Sequence, residues 1–143
     1  MAAHLAEPAI LVAPDSFKGT FSASEVADAV AAGVESAGRA ADRCPLADGG
    51  EGTLAALTAG AAEVEMATVE VSGPMGKPAT ARIALLPDGT AIVETADAIG
   101  LPLVPEGERD PELATTHGAG ELIAAAAEAG AKRILVGVGG SAT

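Results

Sequence analysis

Tryptophan and tyrosine are absent, and Phe17 and Phe21 are the only aromatic residues among 143. Lysine and arginine number 8 against 20 aspartates and glutamates, a formal net charge of −12. A chain so acidic and so poor in rings lacks both the basic footprint and the stacking platform of a nucleic-acid binder. Cys44 is the single cysteine, which excludes an intrachain disulfide and a cysteine-based zinc site. No apolar run approaches the roughly 18 residues of a membrane-spanning helix. The N-terminus has no basic region, and its longest apolar run, Ala9 to Ala13, stops at Pro14, so no secretory signal is read there. These absences leave a soluble, cytoplasmic protein with no nucleic-acid or membrane partner as the expectation, its oligomeric state open. Large apolar side chains are also scarce. Alanine alone outnumbers Val, Ile, Leu, Met and Phe together, so the core is thin for the length. The length itself suits one domain or a piece of a larger protein.

What is present reads as strand, glycine-rich loop and helix, repeated. Ala9 to Ala13 is a short continuous apolar run, as expected of a strand buried on both faces. Pro14-Asp15-Ser16-Phe17-Lys18-Gly19-Thr20 breaks it. Ser22 and Glu25 have the spacing of a capping box, which predicts a helix start. Val26, Val30 and Val34 recur every four residues as its buried stripe, and Gly38 is placed to stop it. A second unit follows, with Cys44 to Ala47 as a short strand end. Asp48-Gly49-Gly50-Glu51-Gly52 is a loop, and Thr53 to Thr58 a short helix ending near Gly60.

The middle changes character. Val64, Met66, Val69 and Val71 fall among charged and polar residues, as in a half-exposed strand. Ser72 to Pro78 is a long turn. Ala79 to Leu86 and Thr90 to Glu94 flank Pro87-Asp88-Gly89, a hairpin signal. An antiparallel stretch between βα units marks an inserted or second domain. Leu101 to Pro111, with three prolines, reads as a surface connection. Thr115 or Thr116 caps a further helix with the stripe Leu122, Ile123, Ala126 and Ala127, stopped by Gly130. Ile134 to Val138 is a buried strand leading into Gly139-Gly140-Ser141-Ala142-Thr143. A strand followed by such a loop normally opens a helix N-terminus. A longer α/β protein is therefore expected, of which this is the N-terminal part. The fold class is α/β with the fold incomplete: Rossmann-like βα units over 1–62, the antiparallel start of an inserted domain over 63–111, and a helix–strand segment over 112–143.

Several loops carry chemistry. In open α/β sheets ligands bind outside the carboxyl ends of the strands. There Lys18 could hold a phosphate or carboxylate, and Asp15 a metal or a proton; the same residues, with Ser16, also suit an ordinary strand–helix turn. Gly49, Gly50 and Gly52 let backbone N–H groups face an anion, while Asp48 and Glu51 beside them point to Mg²⁺ or a hydroxylated substrate; the bland equivalent is a flexible acidic turn. No P-loop spacing occurs. Thr116 and Gly118 could open a second anion-binding helix start, though an ordinary cap with small residues packed near the sheet fits somewhat better. His117, with His4 the other histidine, reads as an exposed polar residue. Glu94 and Asp97 sit at a strand end, either functional or a solvated pair.

Taken together, these segments resemble the glycerate kinase family. The resemblance rests on Ala13-Pro14-Asp15-Ser16-Phe17-Lys18-Gly19, Ala47-Asp48-Gly49-Gly50-Glu51-Gly52-Thr53, Gly73-Pro74-Met75-Gly76, Glu94 with Gly100-Leu101, Arg109-Asp110-Pro111, Thr115-Thr116 with Gly118 and Gly120-Glu121-Leu122-Ile123, and Gly137 to Thr143, all in order. It implies a two-domain α/β enzyme that transfers the ATP γ-phosphoryl group to a hydroxyl of glycerate, with Mg²⁺, giving 2- or 3-phosphoglycerate. On that footing Asp15, Lys18, Asp48 and Glu51 are the catalytic candidates. Lys18 would hold the glycerate carboxylate or a transferring phosphate, and Asp48 or Glu51 would orient the hydroxyl or hold Mg²⁺. Ser16, Gly49, Gly50, Gly52, Thr116, Gly118, Gly139, Gly140 and Ser141 are the binding candidates. The truncated chain is expected to be inactive by itself. The competing expectation is a non-catalytic α/β module that binds an anion or nucleotide.

Overall fold

The computed structural model describes residues 8–143; His4 lies outside the described residues. The chain divides into two compact units, one running to Ala47 and one from Asp48 to Thr143.

The first unit is a βαβ element. Strand β1 (Ile10–Val12) and strand β2 (Ala41–Arg43) pair in parallel, joined by helix α1 (Ala23–Ser36). Helix α1 starts as its spacing predicts: the Ser22 hydroxyl accepts from the Glu25 N–H, and the Glu25 carboxylate accepts from the Ser22 N–H at 2.8 Å. Gly38, at φ +79°, closes it. The Gly38 N–H donates to the Glu35 carbonyl and the Arg39 N–H to the Val34 carbonyl, satisfying two carbonyls of the last turn.

Three expectations shift here. The buried stripe of α1 is Ala27 and Ala31 with Val34 at its edge, whereas Val30 is 47% exposed. A helix seated on a short two-stranded sheet approaches closely through alanine, and Val30 turns outward while Val26 and Val34 stay half-buried. β1 is not buried on both faces: Val12 faces the helix while Leu11 is 62% exposed. β2 begins earlier than the apolar pattern marked, at Ala41 rather than Cys44. The Cys44 N–H to Val12 carbonyl and Leu46 N–H to Pro14 carbonyl bonds only prolong the pairing. Its polar residues hid it from the pattern, and Arg43 uses its charge outward. It binds Glu35 through two nitrogens at 2.9 and 3.3 Å and Asp28 through Nε at 2.9 Å, clamping β2 to α1.

The second unit is a four-stranded mixed sheet in the order β3-β4-β5-β6 with helices on both faces. Strands β3 (Glu65–Ser72), β4 (Pro78–Leu85) and β5 (Thr90–Glu94) are antiparallel neighbours, and β6 (Arg133–Gly137) lies parallel to β5. The β4–β5 turn is the one read from the sequence. The Gly89 N–H returns to the Leu86 carbonyl, and the Asp88 carboxylate accepts from the Thr90 N–H at 2.8 Å. The β5–β6 pairing puts the antiparallel stretch and the final helix–strand segment into one sheet.

On one face, helix α4 (His117–Glu128) sets Ala119, Leu122 and Ala126 against Val71, Ala81, Ile83 and Val93, joined by Ala98 and Ile99 of the short helix α3 (Thr95–Ile99). Ile123 and Ala127, assigned to this stripe from the sequence, face outward; the close approach of Gly118 and Ala119 to the sheet rotates the contact face toward Leu122. On the other face, helix α2 (Thr53–Thr58) inserts Leu54 against Ala84 and Ile92, with Val64 and Leu86 around it. β6 is not the expected buried strand. Among the described strands it is paired on one side only, so Leu135 and Val136 are exposed, and Val138 lies beyond its end at 73% exposure. The 101–111 connection is two short 3-10 turns over the surface, anchored by buried Val104. No helix among the described residues is long and apolar enough to cross a membrane.

Candidate active site

In the first unit the candidate residues sit on the turn after β1. The Ser16 N–H donates to the Asp15 carboxylate at 2.6 Å. Phe17 and Phe21 exchange backbone bonds, and the Thr20 N–H also returns to the Phe17 carbonyl. These bonds fold 17–21 into a narrow turn with exposed Lys18 near its tip and exposed Asp15 at its base. A cation and a carboxylate are thereby held at the carboxyl end of a parallel strand, where open α/β sheets receive ligands.

In the second unit two glycine-rich segments distant in sequence meet. A Cβ added at Gly139 would stand 2.8 Å from the Gly50 Cα, and one at Gly137 would stand 2.8 Å from the Gly49 carbonyl oxygen. Contacts that short are possible only between bare backbones. The Asp48–Gly52 loop therefore rests directly on the exit of β6. The loop is also internally bonded: the Gly50 N–H donates to the Asp48 carboxylate at 3.1 Å, and the Thr53 hydroxyl to the Gly50 carbonyl at 2.8 Å. Asp48 and Glu51 are exposed on it.

Gly140, Ser141 and Ala142 are tied to the segment after α3. The Leu101 N–H donates to the Gly140 carbonyl, and the Ala142 N–H to the Ile99 carbonyl, both at 2.9 Å.

Glu94, left between a functional and a solvated role by the sequence, is the most constrained carboxylate of this unit. It is 0% exposed at the end of β5, directly beside Gly137 in the β5–β6 register. One oxygen accepts from the Leu54 N–H at the start of α2, where no side chain of the helix itself provides a cap. Burial pushes its carboxyl above the usual carboxylate range, and the N–H groups of Leu54 and Gly52 act against that rise. The other oxygen, Oε2, has no hydrogen-bond partner and lies 3.8 Å from an Arg82 nitrogen. Arg82 is in turn gripped by Asp97 at 2.7 and 2.9 Å, so Glu94 and Asp97 are not a solvated pair. The sequence did hold a clue. Alternation along Thr90–Glu94 puts Glu94 on the same face as Ile92, which is a buried face.

The Thr115–Glu121 segment has a clear packing role. A Cβ at Gly118 would lie 1.8 Å from the Ser72 carbonyl oxygen, so α4 seats on β3 through a bare backbone. Glu121 accepts from the Ser72 N–H at 2.6 Å, and those bonds hold its carboxyl below the usual range. Thr116 occupies the N-cap without a side-chain cap bond; the Thr115 hydroxyl instead accepts from the His117 N–H at 3.2 Å. His117 is exposed and pairs with Glu121 at 3.3 Å. Among the described residues no group of three or more His, Cys, Asp or Glu side chains could hold a metal ion.

The glycerate kinase family model matches residues 10–143. The chain belongs to the glycerate kinase family. It is 47% identical over 137 residues to a glycerate kinase of Bacillus subtilis (strain 168), and 46% identical over 137 residues to the glycerate 2-kinase of Escherichia coli (strain K12). Each match covers 94% of this chain and 36% of the relative. A solved structure from Salmonella typhimurium LT2, assigned there as a glycerate kinase 2, superposes with a TM-score of 0.71 at 43% identity, covering 92% of this chain and 36% of that one. The chain thus spans about a third of the length of these glycerate kinases. The family match takes in the Asp15–Gly19 turn, the Asp48–Gly52 loop and the Gly137–Thr143 segment alike.

Proposed function

We propose that this chain carries part of the site of an ATP-dependent kinase that phosphorylates a hydroxyl of glycerate. The observation that supports the reading best is the seating of the acidic Asp48–Gly52 loop on the glycine-rich exit of β6, within a chain of the glycerate kinase family. Phosphoryl transfer needs positioning and charge neutralisation more than covalent chemistry from the protein. A loop held by its own hydrogen bonds and presenting exposed carboxylates meets the first need.

The roles follow from the chemistry of each group. Lys18 supplies positive charge to the glycerate carboxylate or a transferring phosphate, offsetting a chain of net charge −12. Asp15 and Ser16 shape its turn. Asp48 or Glu51 orients the attacking hydroxyl or contributes one ligand to Mg²⁺. The residues present fit such an ion only in the usual nucleotide-site manner, through one or two carboxylates with phosphate and water, since no three-ligand cage exists among the described residues. Bound Mg²⁺–ATP would supply the transferable phosphoryl group. Gly139, Gly140 and Ser141 are the backbone candidates for contact with it. Gly49, Gly50 and Gly52 act by giving the loop its shape, because the Gly50 and Leu54 N–H groups are already directed at the protein's own carboxylates. Gly118 and Thr116 contribute by setting α4.

The test is a coupled assay with ATP, Mg²⁺ and D-glycerate on the 143-residue chain and on a family-length form. Glycerate-dependent ATP turnover in the longer form is expected. There, Lys18→Ala lowers turnover by at least about tenfold and Asp48→Asn lowers it while the protein stays folded. No turnover from a folded family-length protein would overturn the kinase reading in favour of an anion- or nucleotide-binding module.

A further inference from the structure

A short helix normally takes its N-terminal cap from a Ser, Thr, Asp or Asn beside it, which costs almost nothing. Helix α2 does otherwise. Its N-cap is Gly52, in the left-handed region at φ +95°, and its capping acceptor arrives from Glu94, 40 residues beyond Leu54. The carboxylate is fully buried, with one oxygen lacking a hydrogen-bond partner. Burying a carboxylate and leaving half of it unpaired spends stability. What the arrangement secures is location: the start of α2 is fixed to the carboxyl end of β5, next to the point where Gly137 of β6 meets the Gly49 carbonyl. Two adjacent parallel strands thus hold the loop that carries Asp48 and Glu51.

Glu94 cannot reach substrate itself, because it is sealed under α2. The groups around it are fixed as well. Arg82 on β4 lies 3.8 Å from Oε2 and is held by Asp97 of α3, and the charge of the loop's own Glu51 also favours the Arg82 guanidinium.

We infer that Glu94 is a positioning residue, which holds the Asp48–Gly52 loop in register with the end of β6 so that its carboxylates meet the reacting groups. Its connection to the reaction rests on the kinase reading above; its hold on the loop does not.

Two measurements separate these parts. In the family-length kinase, Glu94→Ala is expected to lower kcat about 100-fold, the cost of a small misplacement of reacting groups. The KM for ATP should stay within about threefold. Glu94→Gln keeps an oxygen able to accept from the Leu54 N–H, and should restore kcat to within about fivefold of wild type. Ile92→Val, which loosens the packing under Leu54 without touching the bond, should lower the melting temperature and leave kcat unchanged. A kcat loss in E94A no larger than that of I92V, or E94Q as impaired as E94A, would overturn the inference. In the 143-residue chain, ¹⁵N NMR reads the loop directly. The Leu54 and Gly52 amides should exchange at least about tenfold faster in E94A than in wild type, and those of Ile83 and Val93 far less so. Unchanged exchange at Leu54 would overturn it whatever the assay shows. If E94A fails to fold, E94Q decides: its Leu54 amide must stay protected. If the wild-type kinase transfers nothing to glycerate, the kinase reading fails while the NMR result still stands or falls alone.

Discussion

Gly139 and Gly50 touch backbone to backbone, with a notional Gly139 Cβ only 2.8 Å from the Gly50 Cα. That contact joins two glycine-rich segments that the sequence presents as separate motifs. It gives the glycines a steric purpose in addition to any hydrogen bonding with a ligand. Gly139→Ala should therefore push the Asp48–Gly52 loop off the end of β6. The expected cost is about 1–3 kcal/mol, the range for overpacking a close contact. Gly60→Ala, where an added Cβ meets nothing within 4 Å, should change stability by less than about 0.5 kcal/mol. Urea denaturation of the two variants checks the contrast. Equal effects would mean that the loop is not seated as described.

A sharper contrast lies within α4. Gly118 and Gly120 are two residues apart on one helix, yet their surroundings are opposite. A Cβ at Gly118 would stand 1.8 Å from the Ser72 carbonyl oxygen; at Gly120 it would meet nothing within 4 Å. Gly118→Ala should destabilise by about 3 kcal/mol or more, because α4 must lift from β3 to admit it. Gly120→Ala should stabilise by about 0.5–1 kcal/mol, through helix propensity and a less mobile unfolded chain. Thermal melts of both variants suffice. A stabilised Gly118→Ala would show that α4 does not rest on Ser72.

A third contrast separates the two partners of Arg82. Asp97 binds its guanidinium through two oxygens and also accepts its backbone N–H at 3.2 Å, whereas Glu94 is only near it. Arg82→Lys keeps the charge and loses the two-pronged geometry. Because the arginine side chain is 46% exposed, solvent screens much of the pair, and a loss of about 1 kcal/mol is expected. A double-mutant cycle of Arg82→Lys with Asp97→Asn measures the coupling; a value near zero would remove the pair from the account of α3.

Local signals were legible in the sequence wherever a residue's role was decided by its neighbours. The Ser22–Glu25 capping box, the Gly38 and Gly130 helix ends, the Pro87–Gly89 turn and the extent of α2 all follow from short-range chemistry. What the sequence obscured depends on tertiary placement. Val30 and Ile123 carry the right helical spacing, but the alanine- and glycine-lined faces beside them approach the sheets more closely. β2 escaped notice because its Asp42 and Arg43 are charged in a strand open to solvent. Glu94 was ambiguous because its capping partner lies 40 residues earlier in the chain, a pairing that no local spacing encodes. The loops were recognisable as a set through their family resemblance, and the contact between Gly50 and Gly139 required the fold.

Acid titration sets Glu94 and Glu121 against each other. Burial raises the Glu94 carboxyl, so between the ordinary glutamate value of 4.5 and its own higher value the native state keeps a proton that the unfolded chain has lost. Stability therefore falls as pH rises through that window. Glu121 behaves in reverse. Bonds from the Ser72 N–H and hydroxyl lower its carboxyl, so its stabilising effect is fully present above 4.5 and is lost as pH falls through its lowered value. Urea midpoints from about pH 3 to about pH 8 distinguish the two. Glu121→Gln should flatten the acid side of the profile and leave the upper side as in wild type. Glu94→Gln should remove the decline on the upper side, and near neutrality its midpoint should equal or exceed that of wild type. A Glu94→Gln protein clearly weaker than wild type at neutral pH would mean that the carboxylate is there for stability. A variant equal or stronger in midpoint, yet no better in turnover, fits a group retained for where it holds the Asp48–Gly52 loop.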